Sequence, residues 1–81
     1  MRAEEVQTLL RRQPFVPFRI YLTDGATYAI LHPELAWLTR STLFVVPEDK
    51  LVRGIPEDYV LCDLLHVVRA ELIDGRHAPT P

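Results

Sequence analysis

The sequence is poor in the residues that build several common classes of functional site. It has one cysteine, three glycines and three histidines in 81 residues. The single cysteine, Cys62, excludes an intrachain disulfide framework and a structural zinc site made of several thiolates. No two glycines are neighbours, so no glycine-rich phosphate-binding loop is present. We therefore expect no cofactor and no metal, and the lone thiol indicates the reducing environment of the cytoplasm.

The sequence also lacks an excess of positive charge and a long apolar run. Nine lysines and arginines against eleven aspartates and glutamates give a formal net charge of −2, so no global field attracts nucleic acid or anionic lipid. No segment approaches the roughly 18 consecutive apolar residues of a membrane-spanning helix. The N-terminal stretch MRAEEVQTLLRR has early acidic residues and no continuous apolar core, unlike a secretory signal. These features predict a protein without a membrane partner.

What is present is the composition of a globular domain, with 48% hydrophobic and 25% charged residues. A chain this short forms one domain with a thin core, because small domains bury a small share of their surface. We expect residues 1–75 to form this domain, closed by a turn at Asp74-Gly75. Residues 76–81 are expected to form a flexible tail.

The clearest local pattern is a β-hairpin in the stretch PFRIYLTDGATYAIL, which starts at residue 17. Its Asp-Gly pair lies between two runs rich in aromatic and β-branched residues, which is typical of two antiparallel strands joined by a tight turn. A three-residue loop, Thr-Asp-Gly with Gly25 at positive φ, pairs Ile20 with Tyr28 and Phe18 with Ile30. A two-residue turn instead pairs Ile20 with Ala29 and Leu22 with Thr27, which places smaller side chains on the apolar face of the hairpin. We therefore predict the three-residue loop.

The segment before this hairpin predicts a short amphipathic helix, from residue 2 to residue 12. Val6, Leu9 and Leu10 lie on one side, acidic residues occupy the first turn and two arginines the last. Pro14 ends the helix because it disfavours helical geometry at the residue before it. Three turns are marginal alone in water, so we expect the helix to pack on the sheet.

Beyond the first hairpin, the segment HPE at residues 32–34 predicts a bend, because proline cannot donate to a central strand ladder. The following stretch, LAWLTRSTLFVV, predicts a second hairpin, whose later strand is expected to be buried on both faces. Residues 47–58, with two prolines and six charges, predict the main loop.

Residues 59–72, YVLCDLLHVVRAEL, fit two patterns. Their leucines fit one face of a helix, whereas the two ends of the segment are typical of short strands. The adjacent valines favour a strand, and Asp63 is a good turn initiator. We predict a strand, a tight 3₁₀ turn at residues 63–66 and a second strand, with a helix as the alternative.

Together these elements predict a mostly β (α+β) domain. We expect the N-terminal helix to pack on a strongly bent five- or six-stranded antiparallel sheet or small barrel. The apolar residues that face inward in this arrangement form the expected core: Val6, Leu9, Leu10, Phe18, Ile20, Leu22, Ile30, Leu38, Leu43, Val45, Leu61 and Val68.

The residues with reactive side chains do not form a convincing chemical site. Cys62 and His66 lie close in sequence, and such a pair can supply a nucleophile with its base or two metal ligands. We expect instead that Cys62 enters the core, where thiols are inert, and that Asp63 caps the following turn. His32 lies at a bend and is expected to bond the backbone. The sequence thus predicts no catalytic residues and no enzyme.

Five residues form a candidate interaction surface: Arg19, Tyr21, Trp37, Arg40 and Arg53. The first two face outward under the predicted register, and the others lie in the second hairpin and the main loop. Aromatic rings beside arginines can stack on bases and contact phosphates, as single-strand binders do. The high apolar content and the absence of excess positive charge favour a protein partner or a homo-oligomer, formed through strand edges or an apolar patch.

The order of elements resembles the Sm-like and SH3-like small barrels. It comprises a short N-terminal helix, an L-T-D-G hairpin, a long bent middle pair, a loop and a last pair of strands broken by one turn. The stretch VRGI at residues 52–55 resembles the arginine-glycine signature of Sm-like proteins, which helps line an RNA-binding pore in that family. This resemblance implies a small barrel and an RNA-binding function.

A second resemblance covers nearly the whole chain. The combination of PFVPFRIYLTDG, ILHPE and DLLHVVRAE is similar to that of short bacterial proteins of uncharacterised function, and it implies no activity. From the residues and both resemblances we predict a non-enzymatic protein-interaction or self-assembly module of the cytoplasm. An Sm-like RNA-binding module is the alternative.

Overall fold

The computed structural model describes residues 1–73 and confirms a mostly β fold with one N-terminal helix. The expected turn at Asp74-Gly75 and the expected tail at residues 76–81 lie outside the described residues. The elements are α1 (Ala3–Arg11), β1 (Phe18–Leu22), β2 (Thr27–Ile30), β3 (Ala36–Leu38), β4 (Thr42–Val45), β5 (Leu51–Val52), β6 (Ile55–Pro56), β7 (Val60–Asp63) and β8 (Val67–Leu72). Three 3₁₀ turns, Pro33–Leu35, Glu48–Lys50 and Leu64–His66, connect them.

The strands divide into three antiparallel sheets, with the orders β2-β1-β8, β3-β4-β7 and β5-β6. The sequence led us to expect one continuous sheet of five or six strands. Instead, the chain passes between the two larger sheets twice, through the 3₁₀ turns at Pro33–Leu35 and Leu64–His66, and each turn interrupts the strand ladder. Within residues 1–73 none of the three sheets closes on itself.

The first hairpin has the predicted register. Phe18 pairs with Ile30 and Ile20 pairs with Tyr28, so the larger apolar groups gather on the inner face. Gly25 has a φ of 90°, a backbone angle that residues other than glycine adopt only with strain. The three-residue loop is therefore confirmed.

The segment that fitted both a helix and two strands is two strands. β7 and β8 are separated by the turn Leu64–His66, and the Asp63 carboxylate accepts a hydrogen bond from the Leu65 N–H at 2.9 Å. The helical alternative is wrong because each strand finds a partner elsewhere in the fold. β7 pairs with β4 and β8 pairs with β1, and these long-range pairings override the local helical spacing.

The core lies between the two larger sheets and under α1, whose Val6 is fully buried. The buried apolar side chains are Val6, Phe18, Ile20, Ile30, Ala36, Leu43, Val45, Val46, Cys62, Leu64 and Val67. Leu9, Leu10, Leu22 and Leu38 are half-buried and pack against this cluster, as predicted. The helix α1 is far too short to cross a bilayer, and no other helix in the described part of the chain qualifies as a membrane span.

The prediction that Leu61 and Val68 belong to the core is wrong. Their side chains are 56% and 58% exposed, respectively. In β7 the inward position belongs to Cys62, because it pairs with the buried Leu43. In β8 the register shifts by one residue where it meets the end of β1, so the bulge carries Val68 outward and Val67 inward.

Residues 47–58 were expected to be a loop, yet they contain the hairpin β5-β6. Val52 pairs with Ile55, and the two-residue turn between them is Arg53-Gly54. Their φ angles are 54° and 79°. Positive φ at both turn residues is typical of the type I′ turn, whose twist suits a short hairpin.

Candidate protein-interaction surface

The outer face of the β3-β4-β7 sheet carries a row of large apolar side chains. Trp37 of β3 pairs with Phe44 of β4, which pairs in turn with Leu61 of β7. Neighbouring strand residues point to opposite faces, and the residues flanking this row are buried or half-buried on the inner side. The row therefore faces away from the core, with Trp37 58% exposed.

Tyr59, just before β7, extends this row. Its ring stacks on that of Phe44, with centroids 5.9 Å apart and an angle of 20° between the ring planes, an arrangement that stabilises by about 0.5–1.5 kcal/mol beyond area burial. Tyr59 itself is 56% exposed. We call the four residues Trp37, Phe44, Tyr59 and Leu61 the aromatic face.

The aromatic face also corrects one expectation about β4. Its nearly continuous apolar sequence predicted a strand buried on both faces. Leu43 and Val45 are fully buried, but Phe44 between them is half-buried, because no layer of the described chain covers the outer side of this sheet. A run of apolar residues in a small domain can therefore mark an uncovered sheet face as well as a core strand.

A groove of about 440 Å³ opens at one end of the aromatic face. We call it the aromatic groove, and its lining residues are Trp37, Phe44, Val46, Pro56, Glu57, Asp58 and Tyr59. In the described part of the chain, its only charged lining residues are Glu57 and Asp58. The Asp58 carboxylate accepts a hydrogen bond from the backbone N–H of Tyr59 at 2.8 Å.

The hairpin β5-β6 borders this groove, because Pro56 belongs both to β6 and to the groove lining. Val52 and Ile55 on the hairpin are exposed, and Arg53 stands at its tip. Residues 1–73 have eight exposed large apolar side chains, and five of them are on the aromatic face or on this hairpin. Their grouping on one side of the molecule is what distinguishes this surface from scattered exposed leucines.

The structure does not gather the five predicted surface residues into one site. Arg19 and Tyr21 lie on β1 in the first sheet, and Trp37 is part of the aromatic face. Arg40 lies in the turn between β3 and β4, where it lines a cleft with residues of α1. Arg53 is at the hairpin tip. Trp37 and Arg53 belong to the surface described above, and the other three lie elsewhere.

Tyr21 is already engaged by its own chain. The Arg69 guanidinium lies 3.9 Å from the Tyr21 ring centroid, and its Nε donates to Glu71 Oε2 at 2.8 Å. The Tyr21 hydroxyl donates to the other Glu71 oxygen at 3.1 Å. The hydrogen bond from Arg69, followed by that from Tyr21, lowers the pKa of Glu71. A base that stacked on this face of Tyr21 would first have to displace Arg69.

Cys62 and His66 both line a second depression, of about 470 Å³. Burial, and then the charge of Asp24, raises the pKa of the Cys62 thiol, which disfavours the thiolate that a nucleophile needs. His66 Nδ1 lies 3.3 Å from Thr23 Oγ1. In the described chain no three histidine, cysteine, aspartate or glutamate side chains converge as metal ligands would.

Comparisons with protein-family models, with curated proteins and with solved structures gave no match. The geometry above is therefore the basis for a functional proposal. Sequence reasoning found Trp37 and Arg53 but missed Phe44, Tyr59 and Leu61. The signal that could have identified Phe44 is the alternation of side chains along β4, which places Leu43 and Val45 on one face and Phe44 on the other.

Proposed function

We propose that the protein is a non-enzymatic interaction module of the cytoplasm that self-associates through the aromatic face. The observation that carries this proposal is the uncovered row formed by Trp37, Phe44, Tyr59 and Leu61 on one side of a small domain. Contiguous exposed apolar patches on folded proteins mark interaction sites. The cytoplasmic location rests on the single cysteine.

The residue types on this face support a protein partner. Tryptophan and tyrosine are enriched among the residues that dominate interface energetics, where truncation costs about 2 kcal/mol or more. The Tyr59 ring is held by its stacking on Phe44, so little of its side-chain entropy is lost when a second copy covers it. The stacked pair Phe44 and Tyr59 gives the centre of the face a fixed shape.

The test is the molar mass of the purified chain, measured by light scattering over a concentration series. We expect a mass above that of a monomer at tens of micromolar, and a monomer for the double variant Trp37→Ser, Leu61→Ser. Leu65→Ser is the matched control, since Leu65 is 85% exposed in the turn Leu64–His66 and off the aromatic face. A wild-type chain that stays strictly monomeric at these concentrations contradicts the proposal.

The alternative is an Sm-like RNA-binding module with a barrel-like arrangement of the two larger sheets. Its support is the order of strand pairing, in which the last strand β8 returns to the first strand β1, together with exposed arginines at Arg40 and Arg53. A salt titration of binding to single-stranded RNA tests it, because phosphate contacts make affinity fall steeply with salt. Absence of binding at low salt removes this alternative.

A further inference from the structure

Arg53 occupies a turn position whose backbone geometry disfavours arginine. Type I′ turns strongly favour asparagine, aspartate or glycine at both central positions, and an arginine at positive φ is strained because its Cβ approaches the following carbonyl oxygen. Arg53 nevertheless takes a φ of 54° at an exposed tip. The only ion pair among residues 1–73 joins Arg69 to Glu71, so Arg53 has no carboxylate partner in that part of the chain.

The aromatic groove has the chemistry that a guanidinium requires. Trp37 and Tyr59 contribute aromatic rings to its lining, and Glu57 and Asp58 contribute carboxylates. Arginine is better matched to this combination than lysine, because its planar guanidinium stacks on rings and donates in a fork to carboxylates. Among residues 1–73 no basic side chain lines the groove, so its charge is complementary to an incoming arginine.

The same molecule already binds one arginine in this way. On the first sheet, Arg69 lies over the ring of Tyr21 and donates to Glu71. The aromatic groove presents the same two partners, a tyrosine ring and a carboxylate next to it, with Tyr59 and Asp58 in these roles. What the groove lacks, among residues 1–73, is the guanidinium.

We propose that the partner on this surface is a second copy, and that Arg53 of each copy enters the aromatic groove of the other. This inference rests on the proposed self-association and names the contact that directs it. A two-fold interface requires a surface that is complementary to itself. The hairpin that carries Arg53 at its tip borders the acidic aromatic groove through Pro56, and its Val52 and Ile55 add exposed apolar area. Arginine and groove thus lie close enough on one molecule for each copy to offer both.

Charge reversal on each side of this contact gives a decisive experiment. The first variant is Arg53→Glu, and the second is the double variant Glu57→Arg, Asp58→Arg. Alone, each variant places like charges at both contacts of a symmetric pair, and we expect its dissociation constant to rise at least tenfold. Mixed in equal amounts, the two variants place opposite charges at both contacts. We expect the mixture to recover the mass of the wild-type assembly, measured by sedimentation velocity.

Two further variants separate this contact from general effects. Arg40→Glu reverses another exposed arginine in a turn and should leave association within twofold of wild type. Arg53→Asn suits the type I′ turn better, so its melting temperature should be no lower than that of wild type, while association should weaken about tenfold. With a melting temperature no lower than that of wild type, a loss of association in this variant does not come from misfolding.

The outcomes are distinct. A wild-type chain that associates, two reversed variants that do not, and recovery on mixing support the inference. Wild-type association that is unaffected by Arg53→Glu, or a mixture that stays monomeric, overturns the Arg53 contact and leaves the self-association intact. An equal loss in Arg40→Glu also overturns it. A wild-type monomer at tens of micromolar overturns the self-association itself.

Discussion

Replacement of Gly25 is the perturbation whose cost follows most directly from the structure. Gly25 has a φ of 90°, and an added Cβ would meet no heavy atom within 4 Å. The change Gly25→Ala therefore adds no steric clash with the rest of the fold. Its whole effect on the free energy of unfolding comes from holding an L-residue at positive φ, which costs about 1–2 kcal/mol.

The location of Gly25 decides how much of this cost reaches global stability. The turn joins β1 to β2, and β1 is the central strand of its sheet. The hairpin cannot open without uncovering Phe18 and Ile20, which are fully buried. For a domain of this size, about 1 kcal/mol lowers the melting temperature by about 4–8 °C. We expect Gly25→Ala to melt about 4–16 °C below wild type, and Gly25→Val to melt lower still because of its branched side chain.

Thermal and urea denaturation followed by circular dichroism measure this effect, and Gly54→Ala is the matched control. Gly54 also has positive φ and no heavy atom within 4 Å of an added Cβ. Its hairpin β5-β6 pairs with no other strand of the described chain, so it can open locally and the global cost is smaller. An unchanged melting temperature in Gly25→Ala, or a larger drop in Gly54→Ala, would refute the argument.

Three other predictions concern the core and the ionisable groups. Leu43→Ala should lower the free energy of unfolding by about 2–5 kcal/mol in urea denaturation, whereas Val68→Ala should change it by less than about 0.5 kcal/mol, since only the first is buried. Cys62 should react with a thiol reagent only after unfolding, because burial raises its pKa. Arg69→Gln should raise the pKa of Glu71 in an NMR titration, since that hydrogen bond lowers it. In the wild type, the contribution of Glu71 to stability is present above its unfolded pKa and is lost as the pH falls through its lower folded pKa.

The parts of the fold that follow from local sequence were predicted well. The Asp-Gly pair and the size of its flanking residues were enough to select the three-residue loop and the register of β1 with β2. The charge pattern and Pro14 gave the extent of α1 to within a residue at each end. Asp63 indicated the turn between β7 and β8, because its side chain bonds the backbone two residues on.

The parts that depend on distant partners were predicted less well. Leu61 and Val68 were assigned to the core, and both are exposed. The inward position in β7 is set by its register with β4, and the bulge in β8 is set by its meeting with the end of β1. No short stretch of sequence contains either register, and a shift of one residue reverses every side chain of a strand.

The candidate surface shows the same division. Trp37 was selected for its residue type, but the stacked ring of Tyr59 and the outward Leu61 depend on which strands are neighbours. The aromatic groove and the depression lined by Cys62 and His66 likewise combine residues from separate segments. Arg19 and Tyr21 were predicted to face outward, yet the sequence did not show that Arg69 would cover the tyrosine ring.

The return of β8 to β1 also determines the order in which the chain completes its fold. Phe18 lies between Ile30, which follows it closely in sequence, and Leu72, near the end of the described chain. During synthesis the β1-β2 hairpin can form early, but β1 keeps one bare edge until β8 has left the ribosome. Such an edge pairs readily with other chains. Late truncations within β8 should therefore cause aggregation during expression even though most of the buried residues are present.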